Sequence, residues 1–173
     1  MKAALRHPRA RALCALVLLC AGASCQPQPT TPELAEGPVE LALKTADGEP
    51  VRLSALRGKP VLIFVFTTYD DVSQLALGTL EHFLTARKDV TALGLAVQPD
   101  PEKLLPLYRD SLDVSFELTY DPDNRVVAGD SALGEIPTIP TYVLLDDTGR
   151  VAARHTGGLD EGGLAGLCAV LDE

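Results

Sequence analysis

The 173-residue sequence lacks several features that would point directly to a function. It has no tryptophan, one methionine and only 5% aromatic residues, and it contains no glycine-rich phosphate loop, HExxH or GxSxG motif. No basic stripe is visible, and the formal net charge is -9. Because so acidic a surface repels phosphate groups, we expect no nucleic-acid binding. The length and the 46% hydrophobic content fit one globular domain with appendages.

The first 24 residues have the features of a signal peptide. Residues 1–12 are basic and residues 13–23 form an apolar run, which is shorter than the roughly 20 residues that span a bilayer. Ala23-Ser24-Cys25 resembles a bacterial lipobox, whose cysteine receives a lipid, although Ala21-Gly22-Ala23 also suits ordinary cleavage. We favour the lipobox. It predicts a domain exported to the bacterial cell envelope and anchored to the membrane through a lipid on Cys25, on the periplasmic face if the host has two membranes.

Residues 25–38 are predicted to be a tether and residues 39–173 a folded domain. The tether is rich in proline and has no apolar periodicity. Cysteines occur at positions 14, 20, 25 and 168, so Cys168 has no partner in the mature chain if Cys25 is lipidated. Cys168 shares a helical apolar stripe with Leu164, Leu167 and Leu171, and we therefore expect a small buried hydrophobic residue rather than a reactive thiol.

The domain alternates strands and helices, which predicts an α/β fold with a mixed sheet and helices on both faces. Residues 39–53 are predicted to form a β-hairpin, and the unbroken apolar run Val61–Phe66 a strand covered on both faces. Regularly spaced leucines predict an amphipathic helix over Gln74–Arg87. Further strands are predicted over 93–97, 116–120, 141–146 and 151–154, and further helices from Pro101 and over 123–133 and 160–171.

Two segments of the domain carry a family resemblance. They are Leu53–Val61, with the sequence LSALRGKPV, and Ile139–Asp146, with the sequence IPTYVLLD. The first resembles the entry to the central strand, and the second the cis-proline segment, of extracytoplasmic thioredoxin-like proteins: TlpA-type reductases, Sco-type copper chaperones and peroxiredoxins. The resemblance implies a thioredoxin-like fold, with a central mixed sheet flanked by helices and an N-terminal β-hairpin. It also implies a cis peptide before Pro140 and a backbone edge there that pairs with an extended peptide.

In those families the reactive thiols lie between the central strand and the next helix, where the helix N-terminus stabilises a thiolate. The corresponding stretch, Phe66–Gln74, contains no cysteine. Aligned with the reductases, Asp70 and Ser73 take the two thiol positions; aligned with the copper chaperones, Tyr69 and Ser73 take them. In the peroxiredoxin alignment Asp70 replaces the single reactive cysteine. Every alignment loses the thiols, and oxygen-bearing side chains cannot form the mixed disulfide of thiol exchange.

Other chemistry at this stretch is also disfavoured. Asp71 and Gln74 have the spacing of a helix-capping box, which predicts a structural role with Asp71 as the N-cap. Asp70 and Asp71 supply too few oxygens for calcium, and carboxylates do not suit copper, so we expect no metal and no cofactor. A nucleophilic Ser73 would need a histidine base, and His82 lies nine residues farther along the helix. We expect no catalytic residue.

Three functions remain open at this point. The first, which we favour, is a redox-inactive binding or assembly module that holds an unknown protein or an extended peptide at Ile139, Pro140 and Thr141. Tyr69 and Phe66 beside this segment either add a stacking surface for the partner or simply pack in the protein, and we favour packing for both. The second is the thiol-disulfide oxidoreductase or peroxidase activity that the resemblance alone implies. The third is a structural module of an envelope assembly, which would show a stable stoichiometric partner.

Overall fold

A computed structural model describes residues 37–112 and 114–172, and these residues form a seven-stranded mixed sheet with helices on both faces. The strand order is β2-β1-β5-β4-β3-β6-β7. Strands β3, β4 and β5 run parallel, whereas the remaining neighbours are antiparallel. The strands are β1 (Ala42–Thr45), β2 (Pro50–Arg52), β3 (Val61–Phe66), β4 (Thr91–Ala96), β5 (Glu117–Tyr120), β6 (Thr141–Leu145) and β7 (Val151–Thr156). The predicted α/β architecture and its N-terminal hairpin are confirmed.

The central strand β3 explains why the core has two halves. Alternate side chains of a strand point to opposite faces of the sheet. Leu62, Phe64 and Phe66 pack into one hydrophobic cluster, called the Phe64 cluster below. Val61, Ile63 and Val65 pack into a second cluster on the other face of the sheet, called the Ile63 cluster. All six are buried, as the unbroken apolar run predicts. The helices are α1 (Asp71–Ala86), α2 (Pro101–Ser111), α3 (Arg125–Ala128) and α4 (Glu161–Ala169), with short 3-10 turns at Leu53–Leu56 and Val170–Asp172.

Helices α1, α2 and α4 contribute buried side chains to the Phe64 cluster, whereas α3 and the loop after it contribute to the Ile63 cluster. None of the helices in the described ranges is long and apolar enough to cross a membrane.

Two helices differ from their predicted lengths. The helix predicted over residues 123–133 is confined to Arg125–Ala128, because Gly129 adopts a left-handed conformation with φ 74° and its N–H donates to the carbonyls of Arg125 and Val126. Helix α1 begins at Asp71, three residues before the predicted start. Its first turn is mostly polar, so apolar periodicity alone does not indicate that the helix has already begun there.

Four loops meet at one end of the central strands, which we call one edge of the sheet. Phe66 pairs with Ala96, and Ala96 pairs with Tyr120, so the parallel strands β3, β4 and β5 end side by side. Strand β6 runs the other way, and its first residue, Thr141, pairs with Val65. The loops that follow β3, β4 and β5 therefore meet the loop that precedes β6, and ligands of α/β proteins bind outside such carboxyl ends.

Candidate functional site

Asp70 is the N-cap of α1. Its carboxylate oxygens accept hydrogen bonds from the backbone N–H groups of Ser73 at 2.8 Å and Val72 at 3.3 Å. A hydrogen bond from the Ser73 side chain, aided by these two N–H groups, lowers the pKa of Asp70. The expectation that Asp71 is the cap is therefore wrong: Asp71 is the first helical residue and its side chain is exposed. The carboxylate of Asp70 occupies the positive end of the helix.

Ser73 is closed off from substrates. Its side chain has no exposed surface, and its hydroxyl accepts a hydrogen bond from the Thr67 N–H at 3.5 Å. The two histidines of the described ranges are engaged elsewhere. His82 Nδ1 lies 2.7 Å from Glu161 Oε1, and the His155 ring packs against Tyr142. Among the described residues, Ser73 has no histidine base.

Two glutamines hold the loop that connects β3 to α1. The Thr68 N–H donates to Gln98 Oε1 at 2.6 Å, and Gln74 Nε2 donates to the Thr68 carbonyl at 2.8 Å. The Tyr108 hydroxyl donates to Gln74 Oε1 at 2.8 Å. Burial raises the pKa of Tyr108, and the bond to Gln74 partly opposes this shift. Hydrogen bonds thus hold both the N–H and the carbonyl of Thr68, and this fixes where the next residue, Tyr69, lies on the surface.

Gln98 and Tyr108 were not among the predicted site residues, although Gln98 has a detectable signal in the sequence. Gln98 follows β4, and Thr67 follows the neighbouring parallel strand β3, so both must reach the same edge of the sheet. Gln98 is only 4% exposed. Its Nε2 and the Thr67 Oγ1 are buried without a hydrogen-bond partner among the described residues. The loop therefore retains unused hydrogen-bonding capacity on its inner side.

The peptide bond between Ile139 and Pro140 is cis, as the family resemblance implies for Pro140. The Pro140 carbonyl accepts a hydrogen bond from the Gly157 N–H at 2.8 Å. Thr141 is fully buried and its hydroxyl donates to the Thr138 carbonyl at 2.7 Å. The structure therefore places the Thr141 side chain inside the protein, where its hydroxyl holds the loop that precedes β6.

Ile139 presents free backbone groups at this edge. Its side chain packs against the Ile63 cluster and is partly buried. No hydrogen bond of the described residues engages its N–H or its carbonyl. Since a backbone N–H and C=O are strong hydrogen-bonding groups, an extended chain lying beside Ile139 finds both a donor and an acceptor there.

Arg154 fixes the loop that leads to Ile139. It projects from β7, and its guanidinium donates to the carbonyls of Glu135, at 2.9 Å, and Leu133. Burial lowers the pKa of Arg154. The loop has no regular secondary structure of its own. These two charge-assisted hydrogen bonds from Arg154 therefore fix its position.

Tyr69, Val72 and Leu75 form an exposed apolar patch at the start of α1. Their exposed fractions are 69%, 50% and 77%. The glycine loop after β7 borders this patch, because a Cβ atom at Gly158 would lie 3.7 Å from a Val72 methyl group. Since Gly157 also bonds Pro140, the loop after β7 connects the patch to the Ile139 edge.

Phe66 and Tyr69 have opposite environments, although sequence reasoning favoured packing for both. The Phe66 ring is buried and stacks on Phe64, with centroids 5.4 Å apart. It also contacts the Tyr108 ring at 5.8 Å. Packing is therefore correct for Phe66, whereas Tyr69 is free to contact another molecule.

Cys168 lies far from this edge. It is completely buried in α4, and burial raises the pKa of its thiol. Its electrostatic neighbours include Arg87 and Asp89, just past the C-terminal end of α1. The 16 residues of α1 span about 24 Å, which separates that end from Asp70. Cys168 is thus the buried hydrophobic residue that its spacing predicts.

No group of three or more histidine, cysteine, aspartate or glutamate side chains in the described ranges is arranged to hold a metal ion. The predicted signal peptide, the Cys25 lipidation site and nearly all of the tether lie outside the described residues.

Comparison with known proteins identifies the family of the chain. Residues 37–154 match the AhpC/TSA family. The chain is 28% identical over 127 residues to the thiol-disulfide oxidoreductase ResA of Halalkalibacterium halodurans, a match that covers 73% of this chain and 70% of the relative.

Two solved structures illustrate the likeness in fold. StoA from Bacillus subtilis has a TM-score of 0.61 at 17% identity, over 76% of this chain and 97% of that one. The exposed lipoprotein thioredoxin Etrx1 from Streptococcus pneumoniae has a TM-score of 0.63 at 17% identity, over 78% and 99%. The fold is therefore thioredoxin-like, and since the family match spans more than half of its length, the chain belongs to the AhpC/TSA family.

Proposed function

We propose that this protein is an exported binding module that holds an extended polypeptide segment without forming a disulfide with it. One contrast carries the proposal: the backbone edge at Ile139 is free, whereas oxygen-bearing side chains stand where the thiols of the family are expected. The segment would hydrogen-bond with the Ile139 backbone and pack on Tyr69.

Thiol chemistry has no residue to act through at this edge. Asp70 is engaged as the helix cap and Ser73 is buried. Cys168 is inaccessible and lies near the opposite end of α1. A mixed disulfide needs an accessible thiolate as nucleophile, and the described residues supply none.

A binding titration tests the proposal. Unfolded exported proteins, or peptides derived from them, are titrated against the full chain, and binding is followed by fluorescence anisotropy. We expect Ile139→Asp to weaken binding, because a segment docked at the backbone edge would bury the new carboxylate, which is costly. Since Ile139 also packs in the interior, Tyr69→Ala is the second variant. Tyr69 is exposed, so we expect its truncation to leave the fold intact.

The matched control is Val127→Asp, which alters a residue 63% exposed on α3. Binding that falls in both site variants and stays unchanged in the control supports binding at the Ile139 edge and the adjoining Tyr69. Unchanged binding in Ile139→Asp and Tyr69→Ala rules out this binding site.

The second candidate function is that of a thiol-disulfide oxidoreductase or peroxidase. It is supported by the name of the ResA relative and by the family match. It predicts insulin reduction or peroxide turnover that is sensitive to Cys168→Ser. Activity no higher than that of buffer rejects it.

Export and anchoring form part of the same proposal. One structural neighbour is described as an exposed lipoprotein, and the lipobox-like Ala23-Ser24-Cys25 suggests the same arrangement here. Mass spectrometry of the N-terminus of membrane-extracted protein tests this point. A diacylated Cys25 is expected, and an unmodified N-terminus created by cleavage after Ala23 would show ordinary secretion.

A further inference from the structure

We infer that the polypeptide held at this site is cationic: an apolar extended segment flanked by lysine or arginine. The inference rests on the proposed function and adds the charge of the partner. It comes from the distribution of charged residues over the two ends of the parallel strands, and from the position of the apolar patch of Tyr69, Val72 and Leu75.

The loops and first helical turns that follow β3, β4 and β5 contribute five acidic residues to the surface at the end of the sheet that holds the site. We call these five residues the acidic rim: Asp70, Asp71, Asp100, Glu102 and Asp123. Asp121, on the same loop as Asp123, is buried and is not part of the rim. Because the three strands are parallel and adjacent, the rim residues gather along one edge.

The cations on these same loops are already engaged. Lys103 Nζ lies 2.7 Å from the Asp100 carboxylate. Arg125 donates to the Asp130 carbonyl, and its Nε lies 3.8 Å from the Asp130 carboxylate. The rim therefore keeps an excess of negative charge that neighbouring basic residues do not neutralise.

The opposite end of the sheet carries both signs of charge. Arg57 and Arg87 lie there, but they pair with Glu40 and Asp89. The other charged residues beside β3, β4 and β6 at this end are Lys59, Lys88, Asp146 and Asp147. Carboxylates are therefore in clear excess only at the end that carries the proposed binding edge. Such an arrangement attracts and orients a positively charged partner before contact.

The apolar patch lies within this acidic end. Val72 follows directly after Asp70 and Asp71, and Tyr69 directly precedes them. A segment on the patch therefore buries apolar side chains while its flanks lie close to carboxylates. An acidic segment would meet like charge, and a neutral one would forgo the electrostatic attraction.

Three labelled peptides of equal length test the inference. They share one apolar extended core and carry lysine, glutamine or glutamate flanks, and their dissociation constants with the full chain are measured by fluorescence anisotropy. We expect the lysine form to bind about tenfold more tightly than the glutamine form, and the glutamate form to bind weakest. The preference should shrink in about 0.5 M salt, where screening is strong.

Charge-matched variants show whether the rim itself is responsible. The triple variant Asp71→Asn, Glu102→Gln, Asp123→Asn changes three exposed rim residues and leaves the Asp70 cap intact. The control Glu49→Gln, Glu117→Gln, Asp172→Asn removes the same charge from exposed positions away from the rim. We expect only the rim variant to lose most of the lysine preference.

Equal affinity for the lysine and glutamine peptides overturns the inferred charge of the partner, but it remains consistent with peptide binding at the Ile139 edge. An equal loss in both triple variants also overturns the inference, since net charge rather than the rim would then be responsible. Absence of binding for all three peptides contradicts the proposed function itself.

Discussion

The Asp70 carboxylate accepts the backbone N–H of Ser73 at 2.8 Å, which closes the first turn of α1 at the point where the family resemblance implies reactive thiols. The negative charge expected there on a thiolate is carried instead by a carboxylate. A carboxylate at this position stabilises the helix end. The proposed function without thiol exchange rests on this replacement, because a carboxylate cannot act as the nucleophile of that reaction.

Replacing the cap is expected to destabilise the domain. Asp70→Ala leaves the N–H groups of Val72 and Ser73 without the carboxylate, and it should lower the free energy of unfolding by about 0.5–2 kcal/mol. Urea denaturation followed by circular dichroism measures the change. Asp70→Asn is the matched control, because asparagine caps helices nearly as well; an equal loss in both variants would show that capping is not the main role of Asp70.

The same carboxylate should make stability depend on pH. Because hydrogen bonds lower the pKa of Asp70 in the folded state, its stabilising contribution is complete above the ordinary aspartate pKa of about 3.9 and disappears as the pH falls through the lowered value. The stability difference between wild type and Asp70→Asn should therefore be constant near neutral pH and decline in acid. Denaturation curves from neutral pH to pH 2 test this, and a difference that grows on acidification would contradict the lowered pKa.

A pair of glycine substitutions tests the packing between the central strands. A Cβ atom at Gly94 would lie 2.7 Å from Leu118 Cδ2 and 3.2 Å from the rings of Phe116 and Phe66. Since Leu118 is fully buried, Gly94→Ala should cost about 1–3 kcal/mol of stability through overpacking. Gly78→Ala is the control, because nothing lies within 4 Å of its Cβ position in α1 and it should stabilise the helix by about 0.5–1 kcal/mol. Thermal unfolding of both variants should show shifts of opposite sign.

Cys168 should resist modification in the native protein. Its side chain is fully buried and its thiol pKa is raised, so the reactive thiolate is scarce and shielded. We expect alkylation of Cys168, mapped by peptide mass spectrometry, to occur only when the domain unfolds. Modification in native buffer as fast as in denaturant would contradict the burial.

The sequence predicts the fold well where pattern and burial coincide. Val61–Phe66 has the predicted bounds, because a strand buried on both faces leaves an unbroken apolar run. The burial of Cys168 follows equally from its spacing with the leucines of the last helix. The helix predicted after Pro122 fails, because the left-handed conformation of Gly129 ends it after one turn.

The candidate site is less predictable, because tertiary contacts decide it. Phe66 ends the apolar run that predicts its burial, but nothing local indicates that Tyr69 is exposed. The choice of Asp70 rather than Asp71 as cap depends on backbone angles. The hydrogen bond between Gln98 and the Thr68 N–H joins residues 30 positions apart. What the sequence does show is the absence of cysteine from residues 66–74, and the proposed function rests on that absence.

Insulin reduction by the purified full chain, with dithiothreitol as the reductant, tests the central claim most directly. A comparator carrying Asp70→Cys and Ser73→Cys restores a thiol pair at the start of α1, where the helix N-terminus favours a thiolate, and it should accelerate the reaction. We expect the wild-type protein to leave the rate at that of dithiothreitol alone. Wild-type acceleration that disappears in Cys168→Ser would contradict a binding site without thiol chemistry.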